Sequence, residues 1–261
     1  VVSKFSFLKK PLNKYIDHTL LKPDASLKDF QKLIDEAVTF DFASVCVSPY
    51  MALTVGKMLK EHPNVKICTV VGFPLGNTPA LIKSQEALFF GDHGVHEIDF
   101  VINIGMLKSG MVEHLQNEIR ALDKICKDRG VISKCIVETC YLTDEEKMLL
   151  YKILDEKTTV DYIKTSTGFG SSSAQVGDVA MWNAHRQQKI AAEEESNLLV
   201  LHDMTRENGL KIKAAGGIKD LDTALAFIAA GADRLGMSAS VKVMEEYNAH
   251  PDTFTEREET S

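Results

Sequence analysis

The stretch Val160-Asp161-Tyr162-Ile163-Lys164-Thr165-Ser166-Thr167-Gly168 carries a lysine at the end of a short β-prone run, just before a loop of small residues. A lysine inside a strand is unfavourable unless it is solvated, paired or used, and strand ends are where barrels and doubly wound sheets place their chemistry. Lys164 therefore reads either as a Schiff-base nucleophile or as an amine that simply reaches solvent. A nucleophilic amine must be unprotonated, and the ordinary lysine pKa of about 10.4 leaves little free amine at neutral pH. A second cation nearby lowers such a pKa, and Lys213, on the next predicted strand, is placed to act in this way. Asp99 could carry protons or hold a water, and Asp17 could orient a hydroxyl or a lysine. A purely structural network of Lys–Asp ion pairs would use the same residues.

Two further stretches suit an anion. Gly216-Gly217 lets backbone N–H groups approach a ligand, and Gly236-Met237-Ser238-Ala239-Ser240 places hydroxyls at a probable helix start. The competing readings are a tight turn for the glycines and a simple N-cap for Ser238. His93-Gly94-Val95-His96 brings two histidines close but lacks a carboxylate partner and precedes the fourth strand, at the end opposite the chemistry, so no metal is expected there. Cys46 reads as a small interior hydrophobe more readily than as a nucleophile, because no histidine is placed in sequence to activate it.

The elements that must position these residues alternate regularly. Strands are predicted over 15–20, 43–47, 65–72, 97–102 and 131–139, then at the Lys164 run, in a short run ending at Lys213, and over 233–235. Between them lie helices starting at Ser26, over 50–61, over 78–90, along Val112 to Ile125, from Thr143 with Glu146 at capping-box spacing, from 173, and over 220–230. Eight strand–helix units without a Walker A or G-x-G-x-x-G loop predict the α/β class and a single closed (β/α)8 TIM barrel rather than an open doubly wound sheet. The barrel is expected over 1–247, with 248–261 a charged, flexible tail.

Strand parity sharpens the expectation, since alternate side chains face opposite sides. On the fourth strand Ile98, Phe100 and Ile102 share the face expected to meet helices, which turns Glu97, Asp99, Val101 and Asn103 inward. The same test turns Asp17, Lys213, Glu138 and Lys164 inward.

Composition bounds the function. The 261 residues are 44% hydrophobic, enough for one large core, and the net charge of -7 argues against a general nucleic-acid or anionic-membrane surface. Five cysteines with no C-x-x-C pair fit free thiols in a reducing compartment, and no stretch approaches the roughly 18 apolar residues of a membrane span. A cytoplasmic protein is expected.

With Asp17-His18-Thr19-Leu20-Leu21-Lys22-Pro23, Val70-Val71-Gly72-Phe73-Pro74-Leu75-Gly76, Glu97 to Gly105, Ile163-Lys164-Thr165-Ser166-Thr167-Gly168 and Lys213-Ala214-Ala215-Gly216-Gly217-Ile218, the chain resembles the deoxyribose-phosphate aldolase family. The resemblance implies a class I aldolase without metal or cofactor, in which Lys164 forms the Schiff base with acetaldehyde, Lys213 depresses its pKa and Asp99 relays protons. It further implies that the enamine attacks D-glyceraldehyde 3-phosphate to give 2-deoxy-D-ribose 5-phosphate, the reverse direction serving deoxynucleoside catabolism. Asp17, Thr167, Gly168, Gly216, Gly217 and Ser238 fall at substrate and phosphate positions, with Glu138, Cys46 and Lys22 as weaker carry-overs. A homo-oligomer, guessed as a dimer, comes from the resemblance alone. The chain departs from the family in a longer segment at 176–209 and in a tail without a tyrosine. Rivals are another lysine aldolase with a ketone donor and a phosphosugar-binding barrel without turnover.

Overall fold

Short runs of β-branched and apolar residues bury best as parallel strands covered by helices, and here they close on themselves. The computed structural model describes residues 5–195 and 209–250. Its strands are β1 (Ile16–Leu20), β2 (Ser44–Val47), β3 (Lys66–Val71), β4 (Glu97–Val101), β5 (Ile132–Ile136), β6 (Tyr162–Lys164), β7 (Lys211–Ala215) and β8 (Arg234–Met237). Each pairs in parallel with its sequence neighbour, and β8 pairs with β1 to complete an eight-stranded barrel. Around it run α1 (Leu27–Thr39), α2 (Pro49–Met58), α3 (Ala80–Asp92), α4 (Ile104–Lys108), α5 (Val112–Asp128), α6 (Asp144–Lys157), α7 (Val176–Glu195), α8 (Leu221–Ala229) and α9 (Ser240–Asn248).

Helix starts follow their caps. The Ser26 hydroxyl accepts from the Asp29 N–H while Asp29 accepts from the Ser26 N–H at 2.7 Å, and Thr143 and Glu146 form the same reciprocal box at α6. The helical region expected from 173 begins at Val176. Residues 176–195 of the long segment form α7, and 196–208 lie outside the described residues. Of the expected tail, Asn248 closes α9 and 251–261 lie outside the described residues. The short α4, not anticipated, is nucleated by the Asn103 side chain accepting from the Met106 N–H.

The core has two compartments. Ile98, Phe100 and Ile102 join the large cluster between barrel and helices, as parity requires, while Cys46, Cys68 and Val70 form a small apolar cluster of their own, with Leu21 and Phe73 against it. Lys83, fully buried, clamps the end of β4 by donating to the Val101 carbonyl and to Glu118, both at 2.8 Å. Gly72 is required beside it: φ is +62°, and a Cβ would lie 2.8 Å from Lys83 Cε.

Candidate active site

Inward-facing charges need partners, because an isolated buried charge costs far more than folding can supply. The barrel meets this with one continuous cluster. Both Asp99 oxygens are used: Lys134 donates to Oδ1 at 2.8 Å, and Lys164 and Lys213 donate to Oδ2 at 2.8 and 2.7 Å. Lys213 Nζ also lies 2.6 Å from Asp17 Oδ2, an ion pair outside hydrogen-bond geometry. Asp17 Oδ1 accepts from Ser44 at 2.7 Å and from both Nε and Nη2 of Arg234. Glu97 pairs with Lys134 at 2.6 Å and with Arg234 at 3.1 Å. Register makes this assembly: Asp99 is aligned with Lys134, Lys164 with Lys213, and Lys213 with Arg234.

The electrostatics have a consistent sign. Burial alone would raise the Asp99 carboxyl, but the ammonium groups of Lys134, Lys164 and Lys213 outweigh it and hold it well below the usual carboxylate range. Burial likewise opposes ionisation of Asp17, and Arg234, Lys213 and Lys134 overcome it. Burial pulls Lys213 down, and Asp17 and Asp99 reverse this, leaving it above the ordinary lysine value. Asp17 and Asp99 thus favour the charged form of Lys213.

These directions set the acid stability. A carboxyl depressed in the fold contributes stability above its unfolded value, about 3.9 for aspartate, and loses it as pH falls toward the folded value. The urea midpoint should therefore be level from about pH 8 to 5 and fall steeply below about pH 4. Asp99→Asn should flatten that fall; an equally steep fall in the variant contradicts the assignment.

Above the cluster opens a cavity of about 260 Å³ at the C-terminal ends of the strands. Thr19 to Lys22 at the end of β1 and beyond, Thr167 to Phe169 after β6, Ala215 to Lys219 at the end of β7 and beyond, and Gly236 to Ser238 at the end of β8 and beyond line it, together with Lys164. Among the described residues, Lys164 is the one side chain common to the cavity lining and the ion cluster. Thr167, Gly168, Gly216, Gly217, Ser238 and Lys22 all line the cavity. Gly216 and Gly217 have φ of +89° and +79°, and a Cβ on Gly217 would lie 2.6 Å from the Ser173 side chain, so the turn needs glycine there. Lys22 and Lys219 supply exposed cationic side chains at the rim. Lys213, Asp99 and Asp17 are buried and do not line the cavity.

Two candidates take other places. Glu138, at a left-handed φ of +55°, accepts from the Thr167 hydroxyl and, at 3.2 Å, from its backbone N–H. It shapes the loop after β6 and does not line the cavity. Cys46 is buried with Cys68, and their sulfurs and an Asp99 oxygen lie within 4.8 Å of one another. The donor types would suit a metal, but both Asp99 oxygens are already held by ammonium groups, and a cation would add positive charge to a group of four basic and three acidic side chains. His93 and His96 are at the other end of the barrel; His93 Nδ1 meets the Phe89 carbonyl at 2.6 Å, and His96 Nδ1 accepts from the Ile67 N–H at 3.2 Å.

Sequence reasoning missed Lys134, Arg234, Cys68 and any role for Glu97. The parity test contained the signal for Lys134, which lies four residues before Glu138 on the same face. Lys134 is completely buried and touches Asp99, Glu97 and Cys68. Lys134→Met removes the partner that holds Asp99 Oδ1, and breaking such a buried pair costs about 3–5 kcal/mol. A clear drop in urea midpoint is expected; an unchanged midpoint contradicts it.

Residues 12–244 match the family described as DeoC/LacD family aldolase. The chain is 42% identical over 234 residues to a deoxyribose-phosphate aldolase of Streptococcus gordonii, covering 90% of this chain and 96% of the relative. It is 40% identical over 238 residues to one from Thermococcus kodakarensis, covering 91% and 97%. Among solved structures it is similar to a tetrameric deoxyribose phosphate aldolase from Aeropyrum pernix, with a TM-score of 0.78, 28% identity and coverage of 94% and 95%.

Proposed function

The chain belongs to the DeoC/LacD aldolase family, and from that premise we propose that it is a class I aldolase that reversibly cleaves 2-deoxy-D-ribose 5-phosphate to acetaldehyde and D-glyceraldehyde 3-phosphate, with Lys164 as the Schiff-base residue, in deoxyribonucleotide catabolism. The observation that carries the reading is the position of Lys164, which alone among the described residues joins the open cavity to the buried ion cluster.

In the synthetic direction the Lys164 amine adds to the acetaldehyde carbonyl, and the carbinolamine loses water to give an imine. Loss of a proton from the adjacent carbon gives an enamine, whose carbon attacks the carbonyl carbon of glyceraldehyde 3-phosphate; water then releases the product and the free lysine. Asp99 lies 2.8 Å from Lys164 Nζ and 2.7 Å from Lys213 Nζ, so a proton can pass along Lys213, Asp99 and the reacting nitrogen. Four basic side chains face three carboxylates in the cluster, and removing one proton from Lys164 leaves the rest in charge balance. The phosphate is assigned to Gly216, Gly217 and Ser238, with Gly168 and the rim lysines Lys22 and Lys219 beside it. Asp17 acts from below by holding Lys213, and Thr167 lines the cavity with its hydroxyl committed to Glu138, which fixes the loop.

We place the protein in the cytoplasm as a homo-oligomer, a dimer in the first instance. Its five cysteines are free, which suits a reducing compartment, and no helix among the described residues is long and apolar enough to cross a membrane. The reading is tested by incubating the protein with 2-deoxy-D-ribose 5-phosphate and measuring both products. Release of acetaldehyde, with strong preference for it over a ketone donor in the reverse direction, supports the assignment; preference for the ketone overturns it.

A further inference from the structure

His18, on β1 next to Asp17 but facing the helices, is 3% exposed and has both ring nitrogens engaged. Nε2 lies 2.8 Å from Glu36 on α1, and Nδ1 lies 2.9 Å from the hydroxyl of Ser240, the first residue of α9. A carboxylate only accepts, so Nε2–H donates to Glu36, and in the neutral ring Nδ1 accepts from the Ser240 hydroxyl. The same hydroxyl has a second acceptor, the Met237 carbonyl, at 3.1 Å. The order Ser240, His18, Glu36 has the connectivity of a hydrolase triad. Yet Ser240 is fully buried and absent from the cavity lining, so no substrate reaches it.

The location gives the arrangement its meaning. Ser240 stands two residues after Ser238 and bonds within the β8–α9 turn, while His18 immediately precedes Thr19 to Lys22. Both segments line the phosphate end of the cavity, and the His18–Ser240 bond is a side-chain link between them. We propose that His18, through Ser240 and braced by Glu36, is a positioning residue that sets the β8–α9 turn against the β1 loop and so fixes the site of the substrate's phosphate. This rests on the phosphate assignment made above and extends it to residues that touch no substrate.

The test separates phosphate binding from lysine chemistry. Inorganic phosphate is titrated as a competitive inhibitor of 2-deoxy-D-ribose 5-phosphate cleavage and, independently, as a ligand by calorimetry. Acetaldehyde, which carries no phosphate, is trapped on the protein with borohydride. Ser240→Ala, a small change, and His18→Leu should each weaken inorganic phosphate and raise KM by about tenfold, with kcat and the trapping rate unchanged. His18→Gln, whose amide can both accept from Ser240 and donate to Glu36, should lie near the parent protein. Unchanged phosphate affinity in Ser240→Ala and His18→Leu overturns the proposal, as does an equal loss of phosphate affinity and acetaldehyde trapping. If the parent protein traps no acetaldehyde while phosphate affinity still depends on Ser240 and His18, the Schiff-base reading fails and this one stands.

Discussion

Lys164→Ala should retain its fold and lose at least about 10⁴-fold in turnover, because covalent catalysis has no substitute once its nucleophile is gone. The fold survives for a reason visible in the ion cluster. Asp99 loses one of three ammonium partners but keeps Lys134 on Oδ1 and Lys213 on Oδ2. Neither carboxylate oxygen is left unpaired, so the penalty for an orphaned buried charge does not apply. The urea midpoint should stay close to that of the parent, and retained turnover within tenfold of the parent contradicts the role of Lys164.

Lys213→Ala is the second large effect, with an expected loss of about 10² to 10³-fold at neutral pH. Burial works against the charge of Lys213, and Asp17 and Asp99 overcome it and hold the residue above the ordinary lysine value. Its charged form is favoured, and it shares the Asp99 oxygen with Lys164. A fixed positive charge favours loss of the proton from an amine beside it, so its removal makes the free amine harder to reach. The acid limb of the pH–rate profile for imine formation should move to higher pH in Lys213→Ala and return toward the parent position in Lys213→Arg, which keeps the charge. An active Lys213→Ala protein with an unmoved profile contradicts this role.

The barrel was legible because hydrophobic runs and caps are local signals. Ser26 and Thr143 mark helix starts by their own side-chain bonds, and alternation along 97–102 correctly separated Asp99 from Ile98 and Phe100. Boundaries moved where local preference is weak: the seventh strand continues past Lys213 through Ala214 and Ala215, whose small side chains do not advertise a strand. Asp99, Lys164, Lys213 and Asp17 were each found as inward charges, although only Lys164 ends its strand and the other three lie within theirs. Their partners were harder to see. Arg234 meets Asp17 and Glu97 because the barrel closes β8 onto β1, and Lys134 reaches Asp99 through the β4–β5 register. Those pairings belong to closure and register, which no single segment encodes. Glu138 shows the limit of parity: its left-handed backbone lies beyond the regular strand, so alternation no longer decides what its carboxylate meets.

The most direct test of the account is borohydride reduction of the protein in the presence of acetaldehyde, read by intact mass and peptide mapping. A single two-carbon adduct should form on Lys164 and be absent in Lys164→Ala. A folded protein that gains no adduct, or that gains it on another lysine while Lys164 stays unmodified, contradicts it.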